Sequence, residues 1–133
     1  SMATNSRSPS ELSLHTEQRG DVRIVKAIGR VDFSTTPAFQ KTLYAETNAV
    51  GERGGLIVDL GGLDLITSAG LRALMQTKKL LSETGAALVV TGISGTVADV
   101  IRVSRFDTLL TIMPTVEGAV DFLSPDARST EQG

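Results

Sequence analysis

The sequence of 133 residues predicts an α/β fold, one domain whose mixed, mostly parallel sheet is covered by about four helices. Three observations carry that prediction. Short apolar runs, Leu56–Leu60 and Ala86–Thr91, read as strands buried on both faces. Segments with apolar residues at helical spacing alternate with them, punctuated by glycine and proline. At the start, Leu12, Leu14 and Thr16 alternate with polar residues, and Val22–Ile28 resumes an extended pattern after Arg19-Gly20-Asp21, which marks an antiparallel hairpin.

The elements follow in order. Arg-Gly-Asp is known as an adhesion tripeptide, but here it reads as a glycine-centred hairpin turn. Thr35 and Thr36 are placed to cap a first helix, with Pro37 in its first turn and Phe39, Leu43, Glu46/Thr47 and Val50 as its stripe. Gly54-Gly55 leads into the Leu56–Leu60 strand. A second helix is expected from about Ala69 to Thr84, stopped by Gly85 ahead of the Ala86–Thr91 strand. Ser94–Val103 reads as a third helix using Val97, Val100 and Ile101, Leu109–Met113 as a short strand, and Pro114 as the start of a last helix burying Val116, Ala119, Val120 and Leu123. The predicted order is ββαβαβαβα. The domain is expected over residues 11–124. Residues 1–10 (SMATNSRSPS) and 125–133 (PDARSTEQG) read as disordered polar tails, the Ser-Met start as a cleavage scar before Met2.

Composition removes most chemistries. The absence of cysteine excludes disulfides, thiolate nucleophiles and cysteine-based zinc sites, and a single histidine, His15, excludes a multi-histidine metal centre. A net charge of -2 leaves no basic excess to follow a nucleic-acid backbone, and 4% aromatics without Trp offer no stacking platform. No apolar run approaches the roughly 20 residues of a membrane span. A cytoplasmic protein without cofactor or direct membrane insertion is expected, and not an enzyme.

The best-marked strand–helix junction is Thr67-Ser68-Ala69-Gly70-Leu71-Arg72. Residues 69 and 70 are small, which leaves the hydroxyls accessible and permits close backbone approach. The bland alternative is that Ser68 is the helix N-cap. Elsewhere, His15 has no serine or acid placed beside it. Asp59 and Asp64 bracket Gly61-Gly62 without a partner site. Gly92-Ile93-Ser94-Gly95 lacks both the P-loop and the Rossmann glycine spacing and reads as a turn. On the second helix Leu71, Leu74, Met75 and Leu81 share one side with Lys78 near their middle, read as a lysine whose stem covers apolar surface, with Leu80 further round as an exposed apolar contact.

Together, Leu56–Leu60 followed by Thr67-Ser68-Ala69-Gly70-Leu71-Arg72-Ala73-Leu74 resembles the signature of STAS domains, the anti-sigma factor antagonist family. Gly29-Arg30-Val31-Asp32 leading to Pro37-Ala38-Phe39, Phe106–Leu110, and Pro114–Ala119 resemble further family segments in the right order. The resemblance implies a switch protein: the unmodified antagonist binds a serine-kinase anti-sigma factor, the kinase phosphorylates a serine at the start of the second helix, and a phosphatase resets it. Ser68 falls on that serine. Asp32, Ser34, Thr67, Leu71 and Arg72 fall on or near the surface presented to the kinase. Many phosphorylated members carry Asp or Ser before the acceptor, whereas this chain has Thr67, which makes Thr67 an alternative acceptor. Two other roles compete: a constitutive scaffold or accessory subunit of a stress-sensing or transporter complex, and a small nucleotide-binding domain using the junctions at Thr67-Ser68 and Gly92–Gly95.

Overall fold

Strand β2 (Val22–Val31) is the member on which the rest is assembled. It pairs antiparallel with β1 (Leu12–Arg19) and parallel with β3 (Gly55–Ile66). Strands β4 (Ala87–Thr91) and β5 (Ile112–Met113) extend the parallel part, giving the sheet order β1-β2-β3-β4-β5. The helices are α1 (Thr36–Ala49), α2 (Ser68–Ser82), α3 (Gly95–Val103) and α4 (Val116–Leu123). The computed structural model describes residues 11–124, so the two expected tails lie outside the described residues.

Alternation along the strands sorts side chains into two cores. Val25, Ala27, Leu56, Val58 and Val90 join Phe39, Leu43, Leu71, Leu74, Val97 and Ile101, which puts α1, α2 and α3 on one face. Val22, Ile24, Ile57 and Val89 join Ala119, with Val116, Val120 and Leu123 packed against them, so α4 covers the other face. Arg23 on β2 reaches Glu46 on α1 with two hydrogen bonds, of 2.7 and 3.2 Å, in a largely shielded pair.

Three details correct the sequence reading. The first is β3, which does not stop at Leu60 but runs to Ile66. Between Lys26 and Ile28 on β2, and again between Gly29 and Arg30, the register shifts because β3 carries an extra residue. These bulges let Leu63 and Ile66 keep reaching the core. Asp59 closes the first one by accepting the Gly61 N–H at 3.0 Å. Gly29 sits at the second with φ +113, where a β-carbon would collide with the carbonyl oxygen of Glu11.

The second detail is the expected strand at Leu109–Met113. Only Ile112 and Met113 pair, because the Leu109 and Leu110 amides turn back to the Phe106 carbonyl at 3.0 and 2.9 Å after a 3-10 turn at Phe106–Thr108. The third is the start of α4, which Thr115 caps by accepting the Gly118 N–H at 3.1 Å.

Pairing of β3 with β4 ends at Asp59↔Thr91, whereas pairing with β2 continues to Val31↔Ile66. Five further residues of β2 at roughly 3.3 Å each carry the strand ends about 16 Å beyond that point. The extension delivers the start of α2 to the start of α1.

Candidate functional site

At the tip of this β2–β3 extension the Thr67 N–H donates to the Val31 carbonyl at 3.1 Å. That bond sets two segments side by side: Thr67–Arg72, which opens α2, and Asp32–Thr36, which opens α1. Thr67, not Ser68, is the N-cap of α2. Its backbone is extended (φ -95, ψ 170) and its hydroxyl accepts the Gly70 N–H at 3.4 Å. Ser68 is therefore the first helical residue. Its side chain is exposed, and its hydroxyl has no hydrogen-bond partner among the described residues. Thr67 is half-buried and its hydroxyl is engaged in the cap.

Gly70 explains how the helix start comes so close to the strand ends. A β-carbon there would lie 2.7 Å from Val31 Cγ1 and 2.8 Å from Ile66 Cγ1, inside contact distance of two buried side chains. Leu71 is fully buried in the core beneath the helix, so the part the resemblance implies for it on a partner surface is corrected: its side chain supports the site from below. Arg72 is exposed and without an ion-pair partner among the described residues.

The neighbouring loop is tied by Asp32. Its Oδ1 accepts the Ser34 hydroxyl at 2.9 Å, the Ser34 N–H at 3.0 Å and the Thr35 N–H at 3.1 Å. Thr35 and Thr36 do not cap α1 with their side chains as expected. Their hydroxyls donate to the Arg30 and Asp32 carbonyls at 2.8 and 2.6 Å, fastening the helix start to the strand end. The loop holds Ser34 exposed and leaves Phe33 93% exposed. Sequence reasoning missed Phe33. The period of β2 gave no signal for it: Phe33 is in step with the inward Val25, Ala27 and Val31, and only the turn of the chain after Asp32 puts it in water.

The hydrogen bond from Ser34, followed by those from the Thr35 and Ser34 amides, holds the Asp32 carboxyl below its ordinary value of 3.8. A depressed folded value means that the ionised form favours folding above the unfolded value, and that this contribution is lost as pH falls through the folded value. In thermal scans from about pH 7 to about pH 2, the parent should lose part of its stability below about pH 4. Asp32→Asn, which keeps an acceptor but not the charge, should melt lower near neutrality and respond less steeply in that acid range. Superimposable acid branches would refute the assignment.

Beside the loop, α1 and α2 enclose an open groove of about 480 Å³ between Thr36, Gln40 and Tyr44 on one wall and Ala69, Arg72 and Gln76 on the other. The remaining sequence candidates lie elsewhere. His15 is exposed on β1, paired with Lys26. Asp59 serves the β3 bulge and accepts the Thr91 hydroxyl at 3.4 Å, while Asp64 is exposed. The turn at Gly92 packs against that bulge, where a β-carbon would come within 2.9 Å of Gly61 N. Lys78 is exposed and donates to the Leu109 carbonyl, and Leu80 is half-buried. Among the described residues no group of three or more His, Cys, Asp or Glu side chains is placed to hold a metal ion. No helix among them is long and apolar enough to cross a membrane.

A family model for the STAS domain matches residues 13–119. Among solved structures, an anti-sigma factor antagonist from Mycobacterium paratuberculosis is similar with a TM-score of 0.79 and 22% identity, covering 87% of this chain and 97% of that one. The anti-sigma factor antagonist SpoIIAA in its unphosphorylated form is similar with a TM-score of 0.71 and 16% identity, covering 85% and 97%. The murine Solute Carrier 26 family member A9 anion transporter, in its inward-facing state, is similar with a TM-score of 0.68 and 21% identity. That match covers 82% of this chain and 18% of the transporter chain. At these identities the structural likeness speaks for the fold. No curated protein sequence matches the chain.

Proposed function

The chain belongs to the STAS domain family, and from that premise we propose that it is an anti-sigma factor antagonist controlled by phosphorylation of Ser68. Unphosphorylated, it binds a serine-kinase anti-sigma factor and so acts on transcription indirectly, in the cytoplasm and without chemistry of its own. The kinase transfers the γ-phosphoryl group of ATP to Ser68 Oγ, the hydroxyl proton is lost, and ADP leaves. A phosphatase returns the serine and inorganic phosphate at the expense of one water. The observation that carries this reading is the exposed, unengaged Ser68 hydroxyl at the first residue of α2, beside the loop that exposes Phe33 and Ser34.

Magnitudes decide how such a switch operates. A phosphate adds about -1.5 to -2 charges at neutral pH. At the first turn of α2, which holds no acidic residue, it is locally stabilising by roughly 0.3–1 kcal/mol. Arg72, four residues further along the helix, adds attraction of the favourable acid-before-base order. Local energetics therefore do not eject a partner. Desolvation and like-charge contact across an interface reach several kcal/mol, enough to block binding at the surface without refolding.

Phosphosite mapping tests the reading. The parent and Ser68→Ala are incubated with ATP and lysate of the source organism, then read by intact mass and peptide mapping. The expected result is one phosphate on the parent at Ser68 and none on the variant. A phosphate on Thr67 would keep the switch and move the acceptor, and no phosphate beside a modified control substrate would remove it. The second reading, a constitutive scaffold or accessory subunit, is favoured by the similar fold within the anion transporter chain. It requires a partner that does not sense the charge at Ser68.

A further inference from the structure

Five large apolar side chains are exposed among the described residues: Ile28, Phe33, Val103, Leu109 and Phe122. Phe33 stands apart, with 93% of its surface in water where the next, Val103, has 79%. It lies between Asp32 and Ser34, in a loop whose backbone is held by hydrogen bonds from Ser34 and Thr35 to the Asp32 carboxylate. The Asp32 N–H in turn donates to the Thr35 hydroxyl at 2.9 Å. A rigidly mounted aromatic ring with two rotatable side-chain torsions loses little freedom when a partner covers it.

Distance puts the ring within any partner's reach of Ser68. Phe33 is two residues past Val31, and Val31 bonds the backbone of Thr67, the neighbour of Ser68, at 3.1 Å. At no more than about 3.5 Å per residue the two positions lie within roughly 16 Å of each other. A standard interface of about 800 Å² per partner is some 30 Å across. One footprint is therefore wide enough to cover both Ser68 and Phe33.

We infer that Phe33 is the apolar anchor of the partner interface, entering an apolar pocket of the kinase-type partner whose rim carries a cationic group facing the Asp32 carboxylate. The inference rests on the reading of Ser68 as the switch and adds the residue that supplies affinity when the switch is unphosphorylated. Aromatic side chains closed off by a ring of polar contacts carry a disproportionate share of interface affinity. Here Asp32 and Ser34 are the polar groups that flank it in the chain.

The test uses the purified kinase that modifies Ser68, titrated calorimetrically with the unphosphorylated full chain. Phe33→Ala should bind about 30-fold or more weakly than the parent, and Phe33→Leu should fall between the two. Phe122→Ala, which truncates an aromatic on α4 across the sheet, is the control and should stay within about twofold. Circular-dichroism melting should be unchanged in Phe33→Ala, since 93% of the residue's surface is already in water. Binding by the parent with Phe33→Ala within about threefold of it would overturn this inference alone. An equal loss in Phe122→Ala would also overturn it, by marking general stickiness. A parent dimer abolished by Phe33→Ala would overturn it too, assigning the ring to a second copy of this chain. A parent that binds no such kinase would overturn the Ser68 reading and the anchor with it.

Discussion

Leu71→Ala should lower the melting temperature by about 6–20 °C while leaving the secondary structure in place. Leu71 is fully buried, in one cluster with Val31, Phe39, Leu43 and Leu74. Truncating a buried leucine removes transfer energy and leaves a cavity, together about 2–5 kcal/mol. For a domain of this size each kcal/mol shifts melting by about 3–4 °C. The two possible parts for this residue separate cleanly. A surface contact would give a change within about 0.5 kcal/mol and a defect in binding alone. A thermal scan that places the variant within about 2 °C of the parent would therefore return Leu71 to the surface.

Ser68→Asp should weaken binding of the cognate kinase by at least about 100-fold, which corresponds to about 2.8 kcal/mol. Three facts set the size. The side chain is exposed at the first residue of α2, so the new carboxylate meets the partner directly. The charge must be desolvated on association, with no group known to pair it across the interface. Its single charge is smaller than that of a phosphate, so the modification itself should act more strongly. The same variant should fold as well as the parent or slightly better, because an acid in the first turn of α2 meets the positive end of the helix dipole, worth about 0.3–1 kcal/mol. Binding lost and stability kept is the signature of blocking. Affinity unchanged within about threefold in calorimetry would favour the constitutive scaffold, and affinity lost together with the fold would point to rearrangement instead. Ser68→Ala, neutral and smaller, should retain affinity.

What separates the legible from the illegible is the range of the interactions involved. Period-two and helical patterns were enough for the element order and for the hairpin, because each depends on which face a residue shows within its own segment. The stripe of Leu71, Leu74, Met75 and Leu81 was visible that way, and burial of Leu71 agrees with it rather than with the surface part implied by the family resemblance. The Thr67-Ser68 junction and the Asp32 loop were visible as motifs. Their roles were not. Which of two adjacent hydroxyls caps α2 turns on one residue's backbone angles, and these follow from the bond that ties Thr67 to Val31 across the strands.

The sequence by itself determined the α/β class, the order of its elements, and the presence of a serine at the start of a helix that begins beside a polar loop. Local preference and side-chain periodicity suffice for those. Only the tertiary structure decided that β3 continues through two bulges to Ile66, that Thr67 caps and Ser68 is left free, and that Phe33 stands in water next to them. These depend on strand register and on contacts between residues far apart in the chain, Val31 with Thr67 and Val31 with Gly70. Such contacts leave no period in the chain, because each is a single meeting of two segments held in place by everything packed behind them.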